Sequence, residues 1–289
     1  MILITGATGN VGRPLVDLLH AAGARVRAVS RHPDTAGLPD GVAVVAGDPR
    51  RPDTLDEALP GVTSVFLNGQ ATGEAAAEVV ARARSHGARR IVALSAINVD
   101  DALERQPSRL RGARNREAER AAVDSGLEWV ALRPNYFATN LIGTWGAQIR
   151  AGDTVRGTHP GASWAPIHER DIAAVAAHAL LHDDLLGRRP VLTGPRALTQ
   201  PEMVTVIGDA IGRRLRFAPI PPEAARQGMV DAGFDPDFAR GVLDLLAESY
   251  GMPGTHSGEV ERILGRPGLS LAEWAVDHAR DFSPAGVRS

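Results

Sequence analysis

Residues 1–31 read MILITGATGNVGRPLVDLLHAAGARVRAVSR, and the architecture can be predicted outward from them. Residues 2–4 are apolar and predict a first β-strand, and residues 25–29 predict a second. Between the two, apolar side chains recur with a period of about 3.6 residues, which is the pattern of an amphipathic helix: Val11, Leu15, Leu18, Leu19 and Ala22. A strand, a turn, a helix and a strand in this order predict a βαβ unit, and hence an α/β protein with a parallel sheet.

The turn between the first strand and the helix contains Gly6, Gly9 and Gly12, which have the spacing of a dinucleotide-binding loop. In such a loop the glycines permit a tight turn, a close approach of the backbone to a pyrophosphate, and close packing of helix on strand. Unpaired backbone N–H groups at the helix N-terminus attract the phosphates. A glycine-rich turn without a ligand is the alternative, but the strands on both sides favour dinucleotide binding. The prediction is therefore a Rossmann doubly wound parallel sheet.

The end of the second strand indicates which dinucleotide is bound. An acidic residue at this position usually holds the ribose 2′-hydroxyl of NAD. Here the strand ends in Ser30 and Arg31, so no carboxylate repels a 2′-phosphate and Arg31 can pair with one. We therefore expect NADPH (NADP) as the cofactor, with a solvated surface charge at Arg31 as the alternative.

Composition bounds the class of protein. With 289 residues, 44% of them hydrophobic, the chain can bury a large core, and its net charge of −2 argues against a nucleic-acid partner. No segment is long and apolar enough to cross a membrane, and the N-terminus reads as a core strand, so we expect a cytoplasmic protein with a small-molecule substrate. A homodimer is left open. The absence of cysteine excludes thiol catalysis, and all 32 basic residues are arginine, which excludes a Tyr-x-x-x-Lys catalytic couple.

Polar residues follow the predicted strands of the first half, where a parallel sheet binds its ligand: Thr5, Ser30, Asp48, Asn68 and Ser95. Asp48 either accepts a hydrogen bond from an adenine amino group or caps a turn. Beyond residue 134 the alternation becomes irregular. We expect two regions, a NADP-binding Rossmann core over 1–134 and a mixed, smaller C-terminal substrate lobe over 135–289. Late strands of the lobe return to the sheet, and the lobe does not fold independently.

Several motifs, in order and spacing, carry a family resemblance: ITGATGNVG at 4–12, Ser30-Arg31, Gly47-Asp48, Leu94-Ser95, 119–129, LRPNYF at 132–137, Asn140, and residues 166–168 with 171–173. In these the chain resembles the NmrA-like, atypical short-chain dehydrogenase/reductase family, and within it the NAD(P)H:quinone oxidoreductase and azoreductase-like branch. The resemblance covers nearly the whole chain. It implies a Rossmann domain, a small C-terminal lobe, and a substrate cleft between them.

The resemblance also implies a set of residues that bind NADPH: Gly6, Thr8, Gly9, Asn10, Val11, Gly12, Ser30, Arg31, Asp48, Asn68, Ser95, Asn115 and Tyr136. Asn115 departs from the family pattern, because relatives often carry a lysine there that holds the nicotinamide ribose. An amide can bind a ribose hydroxyl, but it cannot supply the cation that lowers a tyrosine pKa. Acid catalysis of ketone reduction by a tyrosine is therefore in doubt.

The candidate catalytic residues are Tyr136, Ser95 and His168, each with a structural alternative. Ser95 matches the serine that orients a substrate carbonyl in the wider superfamily. Tyr136 can instead hydrogen-bond the scaffold, and His168 can serve as a helix cap. Phe137 and Trp164 are either apolar walls of the acceptor site or plain core. No metal site is expected, because the histidines are scattered.

These features predict an NADPH-dependent oxidoreductase that transfers hydride to a small conjugated acceptor such as a quinone, which needs less acid assistance than a ketone. A non-catalytic NADP(H)-sensing regulatory protein is one alternative, and a redox-neutral epimerase or cyclase of a biosynthetic pathway is another. An apolar cleft beside the nicotinamide favours the enzyme, and a blocked one favours the sensor.

Overall fold

The computed structural model describes residues 1–283. Its strands, in chain order, are β1 (Ile2–Ile4), β2 (Val26–Ser30), β3 (Ala43–Ala46), β4 (Ser64–Asn68), β5 (Arg90–Leu94), β6 (Glu128–Pro134), β7 (Thr154–Gly157), β8 (Ser163–Trp164), β9 (Val191–Leu192), β10 (Leu198–Thr199) and β11 (Arg216–Pro219).

The α-helices are α1 (Gly12–Ala21), α2 (Gly69–Thr72), α3 (Ala76–Ser85), α4 (Asn115–Val123), α5 (Asn140–Ala151), α6 (Glu169–Leu181), α7 (Gln200–Ala210), α8 (Pro222–Asp231), α9 (Pro236–Glu248), α10 (Glu259–Leu264) and α11 (Leu271–Asp277). Short 3-10 turns lie at Pro33–Thr35, Pro52–Leu55, Gly73–Ala75, Leu103–Arg105, Pro107–Arg111 and Ala279–Phe282. None of the helices in residues 1–283 has the length and apolar character needed to span a membrane.

The central sheet has seven parallel strands in the order β3-β2-β1-β4-β5-β6-β9. The direction of strand addition reverses between β1 and β4, and in open α/β sheets this switch point is where ligands bind. The predicted Rossmann doubly wound sheet is confirmed.

Helices cover both faces of the sheet, as the alternation of side chains along a strand requires. Phe66 of β4 faces α1 and α6, whereas its neighbours Val65 and Leu67 face α3 and α4. Leu15 and Leu19 of α1 are fully buried against the first face. The two cores fix the height at which the strands end and thus the position of the loops that follow them.

The second half of the chain adds small elements around the sheet. Strands β11 and β7 pair in parallel, and β10 and β8 pair antiparallel. Helices α5, α7 and α11 enclose a third core that includes Trp145, Met203 and Trp274. Between these elements the chain returns to the sheet, because α6 packs on α1 and β9 pairs with the end of β6.

The sequence predicts an arginine-rich helix from about residue 109 to residue 125, but in the structure α4 begins only at Asn115 and ends at Val123. Gly112 adopts φ +85°, which ends the 3-10 turn Pro107–Arg111 and separates it from the helix. Arg114 then precedes the first helical residue, Asn115. The sequence also predicts a short helix over 53–58, and the structure has only the 3-10 turn Pro52–Leu55 there. Helices are further predicted from the sequence over 222–232 and 235–249, and both are present, as α8 and α9.

Candidate functional site

The glycine turn leaves no room for side chains. Gly6 has φ +68°, and its carbonyl accepts a hydrogen bond from Gly9 N at 3.0 Å. A Cβ on Gly12 would lie 2.1 Å from Gly6 O and 2.8 Å from Ala7 Cα. Only glycine lets α1 begin this close to β1, as the dinucleotide-binding pattern requires.

The N-terminus of α1 is open to an anion. Its first turn contains no acidic residue, and its N-cap residue, Val11, makes no side-chain capping hydrogen bond. Thr8 and Asn10 are exposed beside it, while the Val11 side chain is buried in the core. Backbone N–H groups at such a terminus, together with the helix dipole, suit a pyrophosphate.

Asn68 lies over the glycine turn. Its Nδ2 is 2.9 Å from the position that a Cβ on Gly6 would take. Its Oδ1 accepts from Gln70 N at 2.9 Å, and its backbone N–H donates to Thr5 Oγ1 at 2.9 Å. The end of β4 is thereby held against the end of β1.

Asn115 adjoins the same strand end. A Cβ on Gly69 would lie 2.6 Å from Arg114 O and 3.1 Å from Asn115 N, so the start of α4 touches the residue after Asn68. The Asn115 side chain is half-buried and makes no hydrogen bond with any residue of 1–283. Its amide is therefore available to a ribose hydroxyl, although it brings no positive charge.

The end of β2 presents an unpaired cation. Arg31 is exposed and has neither an ion pair nor a side-chain hydrogen bond within residues 1–283. Ser30 Oγ accepts from His32 N at 3.1 Å and keeps its own hydrogen for donation. Arg27 of the same strand donates to the carbonyls of Ala58 and Pro60.

Asp48 caps a turn. One carboxylate oxygen accepts from Arg50 N at 3.0 Å, and the Asp48 backbone N–H donates to Thr54 Oγ1 at 2.9 Å. Of the two roles considered for Asp48, the turn-capping contact is present, and its second oxygen receives no hydrogen bond from residues 1–283.

Ser95 is buried and committed to a carboxylate. Its Oγ donates to Glu119 Oε2 at 2.5 Å. Arg133 donates to both oxygens of Glu119 at 3.0 and 2.5 Å, and Arg189 Nε donates at 2.8 Å. Burial would raise the pKa of the Glu119 carboxyl, but hydrogen bonds from Arg133, Ser95 and Arg189 outweigh it and hold that pKa below its usual range. In this arrangement Ser95 does not present its hydrogen to a substrate carbonyl.

Two surface clefts of about 210 and 360 Å³ open onto Glu119. They are lined by side chains of both charges, such as Asp100 and Arg120, and neither is lined by an aromatic residue. They therefore do not suit a planar apolar acceptor.

Tyr136 stacks on Trp164, with ring centroids 5.2 Å apart and planes inclined by 15°. Both rings are half-buried and pack against the C-terminal core. Burial raises the pKa of the Tyr136 hydroxyl to about 12, against a smaller lowering by Thr144. Phe137 packs against the core of the sheet instead, so the three aromatic residues do not form a single wall.

His168 acts as the N-cap of α6. It is 1% exposed, and its Nδ1 accepts from Arg170 N at 3.2 Å. Its Nε2 lies 3.3 Å from Asp277 Oδ2. The capping role considered for His168 is thus present, and a buried cap is poorly placed to give a proton to a substrate.

Glu169 joins α6 to the C-terminal segment. It accepts from Trp274 Nε1 at 3.1 Å and binds His278 Nε2 at 2.7 Å. Burial opposes ionisation of Glu169, but the neighbouring imidazoles of His168 and His278 lower its pKa to about 2. The hydrogen bond to Glu169 raises the pKa of His278 to about 8, against the opposing effect of burial. No group of three or more potential ligands able to hold a metal ion occurs within residues 1–283.

Two features of this region are not predicted from the sequence. Arg133 and Glu119 were part of the quoted motifs but had no role, although a buried acid and a strand-end arginine could have been paired on charge alone. Arg189 gave no local signal, since it is 70 residues from its partner.

Comparison with known proteins also indicates a protein that binds NAD(P)H. Residues 6–183 match a family model described as NAD(P)H-binding. The chain is 35% identical over 287 residues to (4-alkanoyl-5-oxo-2,5-dihydrofuran-3-yl)methyl phosphate reductase of Streptomyces griseus, covering 98% of this chain and 100% of the relative. It is 31% identical over 296 residues to NAD(P)H azoreductase of Xenophilus azovorans, covering 99% and 100%.

Solved structures share the fold. An Escherichia coli NADPH-dependent quinone oxidoreductase (QOR2), solved with NADPH, superposes with a TM-score of 0.80 and 21% identity, over 96% of this chain and 99% of the other. A Citrobacter triphenylmethane reductase complexed with NADP(H) gives a TM-score of 0.76 and 20% identity, over 96% and 99%.

Proposed function

The chain belongs to the NAD(P)H-binding family, and on this premise we propose that it is an NADPH-dependent oxidoreductase that transfers hydride to a small conjugated acceptor, such as a quinone or an enone. Its reductase relatives at 35% and 31% identity align with 98% and 99% of the chain. The proposed class of acceptor depends on the residues of the candidate site.

The residues present fit the dinucleotide. The cradle at Gly12, which a Cβ would fill, and the uncapped start of α1 would hold the pyrophosphate. Ser30 and Arg31 would bind a 2′-phosphate, and Asn68 and Asn115 the ribose nearest the nicotinamide. When bound, NADPH supplies the hydride; the protein supplies orientation and the exclusion of water.

The main support for a conjugated acceptor is that none of the three candidate catalytic residues is well placed to donate a proton. The Ser95 hydroxyl is bound to Glu119, and His168 is buried as a helix cap. Tyr136 stays neutral because burial raises its pKa to about 12, and no lysine stands near to lower it. A quinone or enone accepts hydride with its negative charge delocalised, so it needs less proton donation than a saturated ketone.

The stacked pair of Tyr136 and Trp164 supports the same class. A half-buried aromatic surface at the exit of β6 suits a flat conjugated ring. We assign Tyr136 the role of wall and neutral hydrogen-bond donor. The relatives agree in kind, since one is named for a dihydrofuranone whose ring double bond is conjugated with its carbonyls and another for azo compounds.

The proposal is tested by measuring NADPH oxidation with quinones, enones, azo dyes and saturated ketones. Turnover of the conjugated compounds without turnover of the ketones is expected. If the protein binds NADPH but oxidises it with none of these acceptors, an NADP(H)-sensing role replaces the enzyme. We also propose that its partners are small molecules in the cytoplasm and not nucleic acids, in keeping with a net charge of −2.

A further inference from the structure

The segment 103–116, called here the arginine-rich loop, contains one arginine without a partner. Four of its five arginines are bound within the fold: Arg105 to Glu248 at 2.6 and 2.7 Å, Arg109 to Glu117 at 2.8 and 2.7 Å, Arg114 to Glu74 at 2.5 Å, and Arg116 to the carbonyls of Val99 and Asp101. Arg111 has no ion pair and no side-chain hydrogen bond with any residue of 1–283. It is exposed.

Arg111 is nevertheless held in place. Its guanidinium carbon lies 5.6 Å from the ring centroid of Phe238 and 5.9 Å from that of Phe234. The two rings belong to the α8–α9 hairpin and are themselves stacked, with centroids 5.6 Å apart. Contact with aromatic faces orients a guanidinium without using its N–H groups, so the donors of Arg111 stay free for a ligand.

A second cation, Arg50, lies near the backbone of the arginine-rich loop. Arg50 Nη2 donates to Gln70 O at 3.2 Å, and Gln70 Nε2 donates to the backbone carbonyl of Arg111 at 3.1 Å. Arg50 also has no carboxylate partner among the described residues. Gln70 thus links the Arg50 guanidinium to the backbone of Arg111, and both arginine side chains are exposed, so each can pair with an anion.

The arginine-rich loop adjoins the end of β4, where Asn68 lies. Gln70 comes two residues after Asn68, at the end of β4. The α8–α9 hairpin reaches across to the arginine-rich loop, where Arg105 binds Glu248 of α9. The arginine-rich loop therefore contacts both the residues that follow β4 and the α8–α9 hairpin.

We propose that Arg111, assisted by Arg50, binds an oxyanion group of the acceptor, a phosphate or a carboxylate. The preferred substrate is then a conjugated ring that carries such a group, and not a neutral quinone. This inference rests on the proposed reductase function, because only a reductase has an acceptor substrate. It adds a specificity-determining site to that function.

The kinetic test compares 1,2-naphthoquinone with 1,2-naphthoquinone-4-sulfonate, in which the sulfonate represents the oxyanion. We expect Arg111→Gln to lower kcat/KM for the sulfonate about 10- to 100-fold, mainly through KM, and to leave the neutral quinone nearly unchanged. Comparing the ratio between variants cancels the different intrinsic reactivity of the two compounds. Arg111→Lys should keep part of the preference, because the charge remains and the planar fork is lost.

Arg214→Gln is the matched control, since Arg214 is exposed and likewise unpaired within residues 1–283. It should leave both compounds unaffected. An equal loss for the two quinones in Arg111→Gln, or the same loss in Arg214→Gln, overturns the proposal. So does a loss of NADPH affinity in Arg111→Gln, which would assign this arginine to the cofactor.

A binding test separates this inference from the proposed function. Calorimetry on protein saturated with NADP⁺ compares 2-naphthalenesulfonate with 2-naphthol. Binding of the sulfonate that weakens about tenfold or more in Arg111→Gln supports the site, even if no acceptor is reduced and the enzyme proposal fails. Reduction of quinones without any effect of Arg111 on sulfonate binding refutes the site and leaves the enzyme.

Discussion

Ser95 Oγ lies 2.5 Å from Glu119 Oε2 and donates its hydrogen to that oxygen. Because Arg133 and Arg189 donate to the same carboxylate, one buried acid joins the exits of β5 and β6 to the middle of α4. The contact therefore sets the position of the strand ends on which the cofactor and Tyr136 depend.

Replacing this acid should destabilise the fold. We expect Glu119→Gln to lower the free energy of unfolding by about 3 kcal/mol, because two arginines lose their buried counter-charge. The matched control is Glu78→Gln, which breaks an exposed pair with Arg82 and should change stability by about 0.5 kcal/mol or less. Urea unfolding measures both. A loss no larger than that of the control would contradict the structural role.

The Glu119 effect should also depend on pH. Its folded-state pKa is depressed, so its stabilisation is present above the unfolded-state pKa and disappears as the pH falls through the folded value. The difference between the wild type and Glu119→Gln should accordingly narrow in acid, as followed by urea unfolding at several pH values. If the difference in free energy of unfolding instead grew in acid, the pKa of Glu119 would be raised in the folded state and not lowered.

Arg31 should determine the choice of cofactor. We expect Arg31→Ala to weaken NADPH binding about 10- to 100-fold and to leave NADH binding nearly unchanged, since only NADPH carries the 2′-phosphate. Calorimetric titration of both cofactors measures this. Arg25→Ala, which removes an exposed arginine at the opposite end of β2, is the control. An unchanged ratio of the two affinities would remove Arg31 from the site.

Tyr136 should matter little as an acid. Its hydroxyl stays protonated because burial raises its pKa to about 12, so we expect no step in kcat from this residue up to about pH 10. Tyr136→Phe should lose less than the roughly 100-fold that removal of a general acid costs at minimum. Steady-state kinetics over pH provides the measurement, with the exposed Tyr250→Phe as control. A larger loss in kcat at unchanged NADPH affinity would restore Tyr136 as the acid.

Two glycines should respond oppositely to alanine. Gly12→Ala would place a Cβ 2.1 Å from Gly6 O, and we expect it to abolish NADPH binding and lower the melting temperature. Gly143→Ala lies in α5 with no atom within 4 Å of the new Cβ, so it should stabilise the protein by up to about 1 kcal/mol. Thermal unfolding and calorimetry test the pair. Tolerance of Gly12→Ala would refute the close packing of helix on strand.

His278 should stabilise the C-terminal segment only while it is charged. Its folded pKa of about 8 exceeds the unfolded 6.5, so the stabilisation is complete below the unfolded value and is lost as the pH rises through about 8. We expect His278→Gln to cost about 1–2 kcal/mol near pH 6 and little near pH 9. The exposed His256→Gln should have no effect at either pH, as judged by urea unfolding. A constant loss at both pH values would mean that His278 contributes through packing.

Local features of the chain were predictable and distant pairings were not. The period of apolar residues in 2–29 and the glycine spacing indicate strand, helix and ligand edge, because they depend on neighbours within a few turns. Which arginine meets which acid depends on the completed fold: Arg189 is 70 residues from Glu119, and Arg105 is 143 from Glu248. The contact of Ser95 with Glu119 likewise depends on the completed fold, as does the absence of a hydrogen-bonding partner for the Arg111 side chain within residues 1–283. Neither could be predicted from the sequence.

The prediction that a helix begins at about residue 109 is wrong for a different reason, since α4 begins at Asn115. Arginines are good helix formers, and the pattern there is compatible with a helix. Gly112, however, takes a left-handed conformation that ends the preceding turn. A glycine can do so almost without cost, and only the surrounding tertiary contacts determine whether it does.

The edge strand β9 has a consequence for the order of events during synthesis. It is added to the sheet only after the chain has left β6, built α5, β7 and β8, and returned through α6. A nascent chain that has emerged only as far as Pro134 lacks both the helix that covers α1 and the last strand. The glycine loop is thus among the first parts to be translated, but α6 and β9 complete the sheet around it only once residue 192 has left the ribosome. We therefore expect a nascent chain to bind the cofactor late in synthesis.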